Sequence, residues 1–104
     1  MSLVEIYRVK VDPAKVGRLL EIHDQAVVEY QEQVPELEGV ELVRLDDETW
    51  LDIIRWSAPA DPERLEAAAC SPAAAKVHEI MAQEVAHDRG ELVHNSGKAW
   101  AAAS

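Results

Sequence analysis

Asp52 shares one face of an apolar segment, Thr49 to Ser57, with Trp50, Ile54 and Trp56. Both alternating faces of that segment are apolar, so it reads as a central strand. A carboxylate between two indoles is costly to bury unless it has a partner or a ligand. Facing a pocket walled by Trp50 and Trp56, Asp52 would have its ionised form desolvated and its pKa raised. That suits a general base or a hydrogen-bond donor. The competing expectation is a structural ion pair with Arg8, Arg44 or Arg55.

Histidines supply the next candidates. His23 sits in the apolar stripe of a long helical segment. Val16, Leu20, Val27, Tyr30 and Val34 project within roughly 40° of it at about 100° per residue. An imidazole there must hydrogen-bond into the sheet or into a cavity. His78 lies at the edge of the last helical stripe, where a side chain reaches both core and solvent. His87 and His94 read as surface or strand-end residues. No His pair falls at i, i+4 and no His/Glu cluster has ligand spacing, so no protein-built metal site is expected. Glycine-rich phosphate loops and nucleophile elbows are also missing.

These residues need elements to hold them. Leu3 to Val11 alternates and predicts a first strand. Asp12-Pro13 then starts a helix that runs to Val34-Pro35, where the residue before proline is pushed out of the helical region. Gly39 opens a second strand, Val40 to Leu45. Asp46 to Glu48 makes a polar turn, and Thr49 to Ser57 returns antiparallel. Asp61-Pro62 and Ser71-Pro72 repeat the cap-then-proline signal, predicting a short helix over Glu63–Ala69 and a longer one to Ala86. After Gly90, Glu91 to Asn95 reads as a fourth, short strand. Residues 96–104 form a weakly patterned tail in which Trp100 is the one large side chain.

Strand, helix, two strands, broken helix and strand make the split βαβ order of an α+β, ferredoxin-like domain with a four-stranded antiparallel sheet. The 104 residues make one domain, with its core over about 3–95. Helices on one face should leave the other polar. Here the first and third strands are apolar on both, with Val4, Ile6, Leu51 and Ile53 on the second face. A second copy of the sheet would cover it, giving a two-fold homodimer.

Ten basic against twenty acidic residues give a net charge of −10. Nucleic-acid or anionic-membrane partners are therefore not expected. Cys70 is the only cysteine, so no intramolecular disulfide forms; its Ala-rich surroundings suggest a small buried residue. No apolar run approaches the roughly 18 residues of a membrane span, and no signal peptide is apparent, which implies a cytoplasmic location.

With its element order, Glu38-Gly39 leading the second strand, Trp56-Ser57 closing the third and Ser71-Pro72 opening the final helix, the chain resembles the antibiotic biosynthesis monooxygenase-like group of dimeric α+β barrel proteins. The resemblance spans roughly Leu3 to Asn95. It implies a cofactor-free pocket for a phenolic or polycyclic aromatic substrate that is oxidised directly by dioxygen. Members with that activity carry an Asn four residues before the Trp that ends the third strand, and an Arg six residues after the proline of the last helix. By position these fall on Asp52, Trp56 and His78: the Trp is kept and the other two differ. In the haem-degrading branch the matching positions are Tyr7, Ala68 and His78. Only the histidine survives, which implies no haem cleavage but leaves weak haem binding open.

The resulting expectation is a homodimeric small-molecule enzyme. Asp52, with His78, would take a proton from the substrate. Trp50 and Trp56 would stack on it, and Tyr7 and His23 would orient or polarise one of its oxygens. An isomerase or cyclase using the same base is one alternative; a non-catalytic ligand-binding dimer with Asp52 held by an arginine is another.

Overall fold

The computed structural model describes residues 2–96. Its strands are β1 (Ser2–Lys10), β2 (Leu37–Arg44), β3 (Thr49–Trp56) and β4 (Gln83–Leu92); its helices are α1 (Val16–Gln33), α2 (Pro62–Ala69) and α3 (Pro72–Ile80). They form one four-stranded antiparallel sheet in the order β2-β3-β1-β4. This is the α+β ferredoxin-like architecture that the element order implies. Trp100 and most of the tail lie outside the described residues.

The local signals for the helix starts hold, each through its own chemistry. The Asp12 carboxylate accepts the Ala14 N–H at 3.0 Å and opens a 3₁₀ turn, Pro13–Lys15, that leads into α1. Asp61 caps α2 in the same way through the Glu63 N–H. Ser71 makes no side-chain cap; the Ala73 N–H at the start of α3 instead donates to Glu29 of α1 at 3.0 Å. In the β2–β3 turn, Asp46 Oδ1 accepts the N–H groups of Glu48 and Thr49 at 2.9 and 2.7 Å.

Chain direction after α3 differs from the sequence reading. The helix stops at Ile80, and Met81, at φ −104° and ψ 26°, leaves the helical region. A strand over Gln83–Leu92 replaces both the predicted helical turn to Ala86 and the predicted strand Glu91–Asn95. The cause is the second edge of β1. With β3 on one side, the other row of N–H and C=O groups needs partners. The observed β4 supplies them, running opposite all nine β1 residues from Ser2 facing Leu92 to Lys10 facing Gln83. Val85, which fits the helical stripe by spacing, is instead 54% exposed. It is the extra residue of a bulge, since Arg8 faces Ala86 and Val9 faces Glu84. That bulge puts Glu84 and His87, three positions apart, on one sheet face.

All three helices pack on that same face. One core cluster centres on Trp50, with Val9, Val11, Leu19, Ala26, Ala74, Val77 and Met81. A second centres on Trp56, with Val34, Leu37 and Ala68. The predicted stripe of α1 holds at Val16, Val27, Tyr30 and Val34 but not at Leu20, which is 54% exposed while its neighbour Leu19 is fully buried. Cys70, read as buried, is exposed at the end of α2. On the opposite sheet face, Val4, Ile6, Leu51 and Ile53 belong to neither core cluster.

Leu19→Ala should therefore cost about 2–5 kcal/mol in urea unfolding through lost contacts and the cavity left behind. Leu20→Ala should stay within about 0.5 kcal/mol. Equal costs would show that the helix stripe is centred differently.

Candidate functional site

Between the sheet and helices α1 and α3 lies a cavity of about 520 Å³. Its walls draw on both core clusters, and Tyr30, packed against each, bridges them. β1 contributes Glu5, Tyr7 and Val9; β3 contributes Asp52, Ile54 and Trp56. Helix α1 brings His23 and Tyr30, and α3 brings Val77 and His78. Glu84 and Arg89 of β4 complete the polar part of the wall.

Glu5 is the most heavily bonded side chain of this wall. The Trp56 indole N–H donates to its Oε1 at 3.0 Å. Its Oε2 accepts the Tyr7 hydroxyl at 3.1 Å and Arg89 Nη2 at 3.2 Å, with His87 Nε2 at 2.9 Å. The donors come from β1, β3 and β4, so one carboxylate ties three strands together. Burial works against its charge, but the bonds from His87, Tyr7 and Arg89 outweigh it and hold Glu5 below the usual glutamate range. His87 also stacks flat on Tyr7, with ring centroids 4.0 Å apart and planes 8° apart. The Tyr7 phenol is pushed up to about 12 by burial and the Glu5 charge, so it stays protonated.

Asp52 is treated in the opposite way. Its Oδ1 is buried with no hydrogen-bond partner. Burial first, and then the nearby Glu5 charge, raise its pKa from 3.8 to about 6. Tyr7 is directly opposite on β1 and Leu42 on β2.

The two imidazoles that line the cavity are kept uncharged at neutral pH. Burial lowers both His23 and His78, with Asp24 opposing the shift slightly at His23. His78 therefore offers a neutral donor and acceptor there, not a substitute cation. The fold thus brings Asp52, His78, Trp56, Tyr7 and His23 to one cavity. Trp50 is the exception: its side chain is 5% exposed, lies in the first core cluster and does not line the space. Leu19, Val77 and Met81 belong to the same cluster, and the Arg44 guanidinium carbon lies 5.8 Å from the centre of its ring.

Glu5, His87 and Arg89 were not among the sequence candidates. Glu5 could have been found by the argument that singles out Asp52, because it is an acid on an apolar strand face between Leu3 and Tyr7. His87 and Arg89 carry no such signal while β4 is read as helix and turn. Among the described residues, no three His, Cys, Asp or Glu side chains gather as a metal-ion site. No described helix is long and apolar enough to cross a membrane.

No protein-family model and no curated protein matches the chain in sequence. Solved structures do match it in shape. A candidate antibiotic biosynthesis monooxygenase from Chloroflexus aurantiacus superimposes with a TM-score of 0.62 at 17% identity, over 93% of this chain and 98% of that one. SnoaB, described as a cofactor-independent oxygenase from Streptomyces nogalater, gives 0.59 at 16% identity, over 93% and 98%. Rv0793 from Mycobacterium tuberculosis gives 0.56 at 16%, over 93% and 100%. The chain thus has the fold of the antibiotic biosynthesis monooxygenase-like proteins.

A raised carboxyl pKa is a stability statement with a fixed sign. The cost of ionising Asp52 is absent below about pH 3.8 and complete above about pH 6. A shift of this size corresponds to something on the order of 3 kcal/mol. Asp52→Asn should therefore raise Tm at pH 8, with a gain of about 1–3 kcal/mol that fades to nothing by pH 4. Thermal melts at the two pH values measure it, and equal Tm values at pH 8 would mean that the carboxylate is solvated.

Proposed function

We propose that the cavity binds a phenolic or polycyclic aromatic molecule and that Asp52 removes a proton from it, making the chain a cofactor-independent monooxygenase. The observation carrying this reading is the buried, unpartnered Asp52 Oδ1 in the wall of a ligand-sized space. A base near pH 6 is mostly ionised at neutral pH yet still basic enough to accept a proton. The likeness in fold to a protein described as a cofactor-independent oxygenase supports the same choice of chemistry.

In this reading Trp56 and Tyr30, whose rings are 6.3 Å apart, form the aromatic wall against which the substrate lies. Asp52 takes a proton from a carbon activated by a neighbouring phenol or carbonyl. His23 and His78, uncharged at neutral pH, hydrogen-bond the substrate oxygen on which the negative charge accumulates. The electron-rich carbanion reduces dioxygen and binds it as a peroxide. Loss of water then leaves a ketone: one CH2 and one O2 become one C=O and one H2O. The base contributes on the order of 10²–10⁴-fold, and positioning against the aromatic wall contributes the rest.

The same reading includes a homodimer formed through the outer sheet face, where Val4, Ile6, Leu51 and Ile53 lie outside both core clusters. A bare apolar sheet face of this kind is unfavourable in water. The accessory-protein alternative, with Asp52 neutralised by arginine, draws no support from the orphaned Oδ1.

Asp52→Ala should lower oxygen uptake with anthrone by at least about a hundredfold. In the unmodified protein, kcat should rise with pH through an apparent pKa of about 6, because the ionised form is the base. Unchanged turnover in Asp52→Ala removes the residue from the mechanism. Conversion without oxygen would instead favour an isomerase or cyclase. Light scattering at micromolar concentration should give twice the chain mass, and Ile53→Lys should return it to that of one chain.

A further inference from the structure

We propose that Glu5 is a specificity residue: its fixed negative charge in the cavity wall admits uncharged aromatic ligands and rejects carboxylated ones. This rests on the aromatic-ligand reading of the cavity given above.

Consider the charges that a ligand meets. Glu5, Asp52 and Glu84 are acids of the lining. Arg89 is the lysine-or-arginine cation among the lining residues, and it already bonds Glu5 Oε2 at 3.2 Å. His23 and His78 do not offset the acids, since burial keeps both neutral at pH 7. Four donors converge on Glu5, so its charge is built in and not a matter of rotamer or ligand.

A neutral substrate suits this arrangement. When it passes its proton to Asp52, one negative charge moves from carboxylate to substrate and the total in the cavity stays the same. A ligand that arrives as a carboxylate adds a further charge beside Glu5, in a wall whose one Lys or Arg side chain is already bonded to Glu5. The chain's net charge of −10 also repels anions, but from the surface. Salt screens that contribution strongly and the one from half-buried Glu5 less.

The test compares 6-hydroxy-2-naphthamide with 6-hydroxy-2-naphthoate, which have nearly the same shape and differ in charge. Binding is followed at pH 8 by quenching of tryptophan fluorescence, in low and in moderate salt. In the unmodified protein the amide should bind at least about tenfold tighter, with a gap that largely survives added salt. Asp52→Asn, which removes the other ionised acid, should narrow that gap without closing it. Glu5→Gln, which leaves an acceptor for the Trp56 and Tyr7 donors, should bring the two ligands within about threefold.

Arg89→Gln gives an independent reading should Glu5→Gln not fold. Its side chain is 70% exposed, and losing its positive charge should widen the gap. Carboxylate binding as tight as the amide overturns the proposal, as does a gap unchanged in a folded Glu5→Gln or in Arg89→Gln. A gap that disappears with salt, or with Asp52→Asn alone, overturns it too. Failure of both naphthalenes to bind overturns it whatever the turnover of anthrone. A persistent gap without any oxygen uptake leaves the selectivity standing and removes the oxygenase reading.

Discussion

The Glu5 carboxylate takes hydrogen bonds from Trp56, Tyr7 and Arg89 and meets His87 on three different strands, and the cavity wall depends on that convergence. A charge half-removed from water must be matched by donors, or the chain neutralises it or unfolds around it. Matching it fixes the Trp56 indole by its N–H and the Tyr7 phenol by its O–H. It also draws β4 onto β1 by side chains as well as by backbone. The Trp56 ring is thereby set beside the cavity, next to Tyr30.

Asp52 is the other half of the same arrangement. It lies on the strand next to Glu5, with its Oδ1 unpartnered and its proton affinity raised by burial and by the Glu5 charge. One acid is saturated with donors and stays ionised; its neighbour has an oxygen that lacks them and is poised near neutrality. Pairs of acids whose environments push their pKa values apart are how acid–base roles are divided in known active sites. The imbalance costs folding stability, since an apolar residue at position 52 would pack without any desolvation penalty.

Much of the architecture could be read from the chain itself. Proline after Asp12, Asp61 and Ser71 marked three helical starts; alternation marked β1, Gly39 the start of β2, and apolar residues on both faces β3. The face shared by Trp50, Asp52, Ile54 and Trp56 follows from the two-residue period of a strand, and all but Trp50 line the cavity. The reading went astray where periodicity is ambiguous. Val77, Ile80, Met81 and Val85 keep helical spacing, yet the last belongs to a strand, because β1 had a second edge to satisfy. Starting the fourth strand at Glu91 instead of Gln83 hid His87 and Arg89, and with them the reason why Glu5 is tolerated in the wall.

Sequence alone determined the order of elements, the excess of acid and the presence of a carboxylate on a tryptophan-bearing face. All of these are local: they depend on neighbours within a few residues or on a simple count. Tertiary structure decided which tryptophan meets the cavity, because Trp56 is bonded to Glu5 across the sheet while Trp50 is packed into the core. It also decided that Asp52 has an unsatisfied oxygen and Glu5 has none to spare. Hydrogen-bond partners 51 and 82 positions away settle that difference, and no spacing rule reaches so far along a chain.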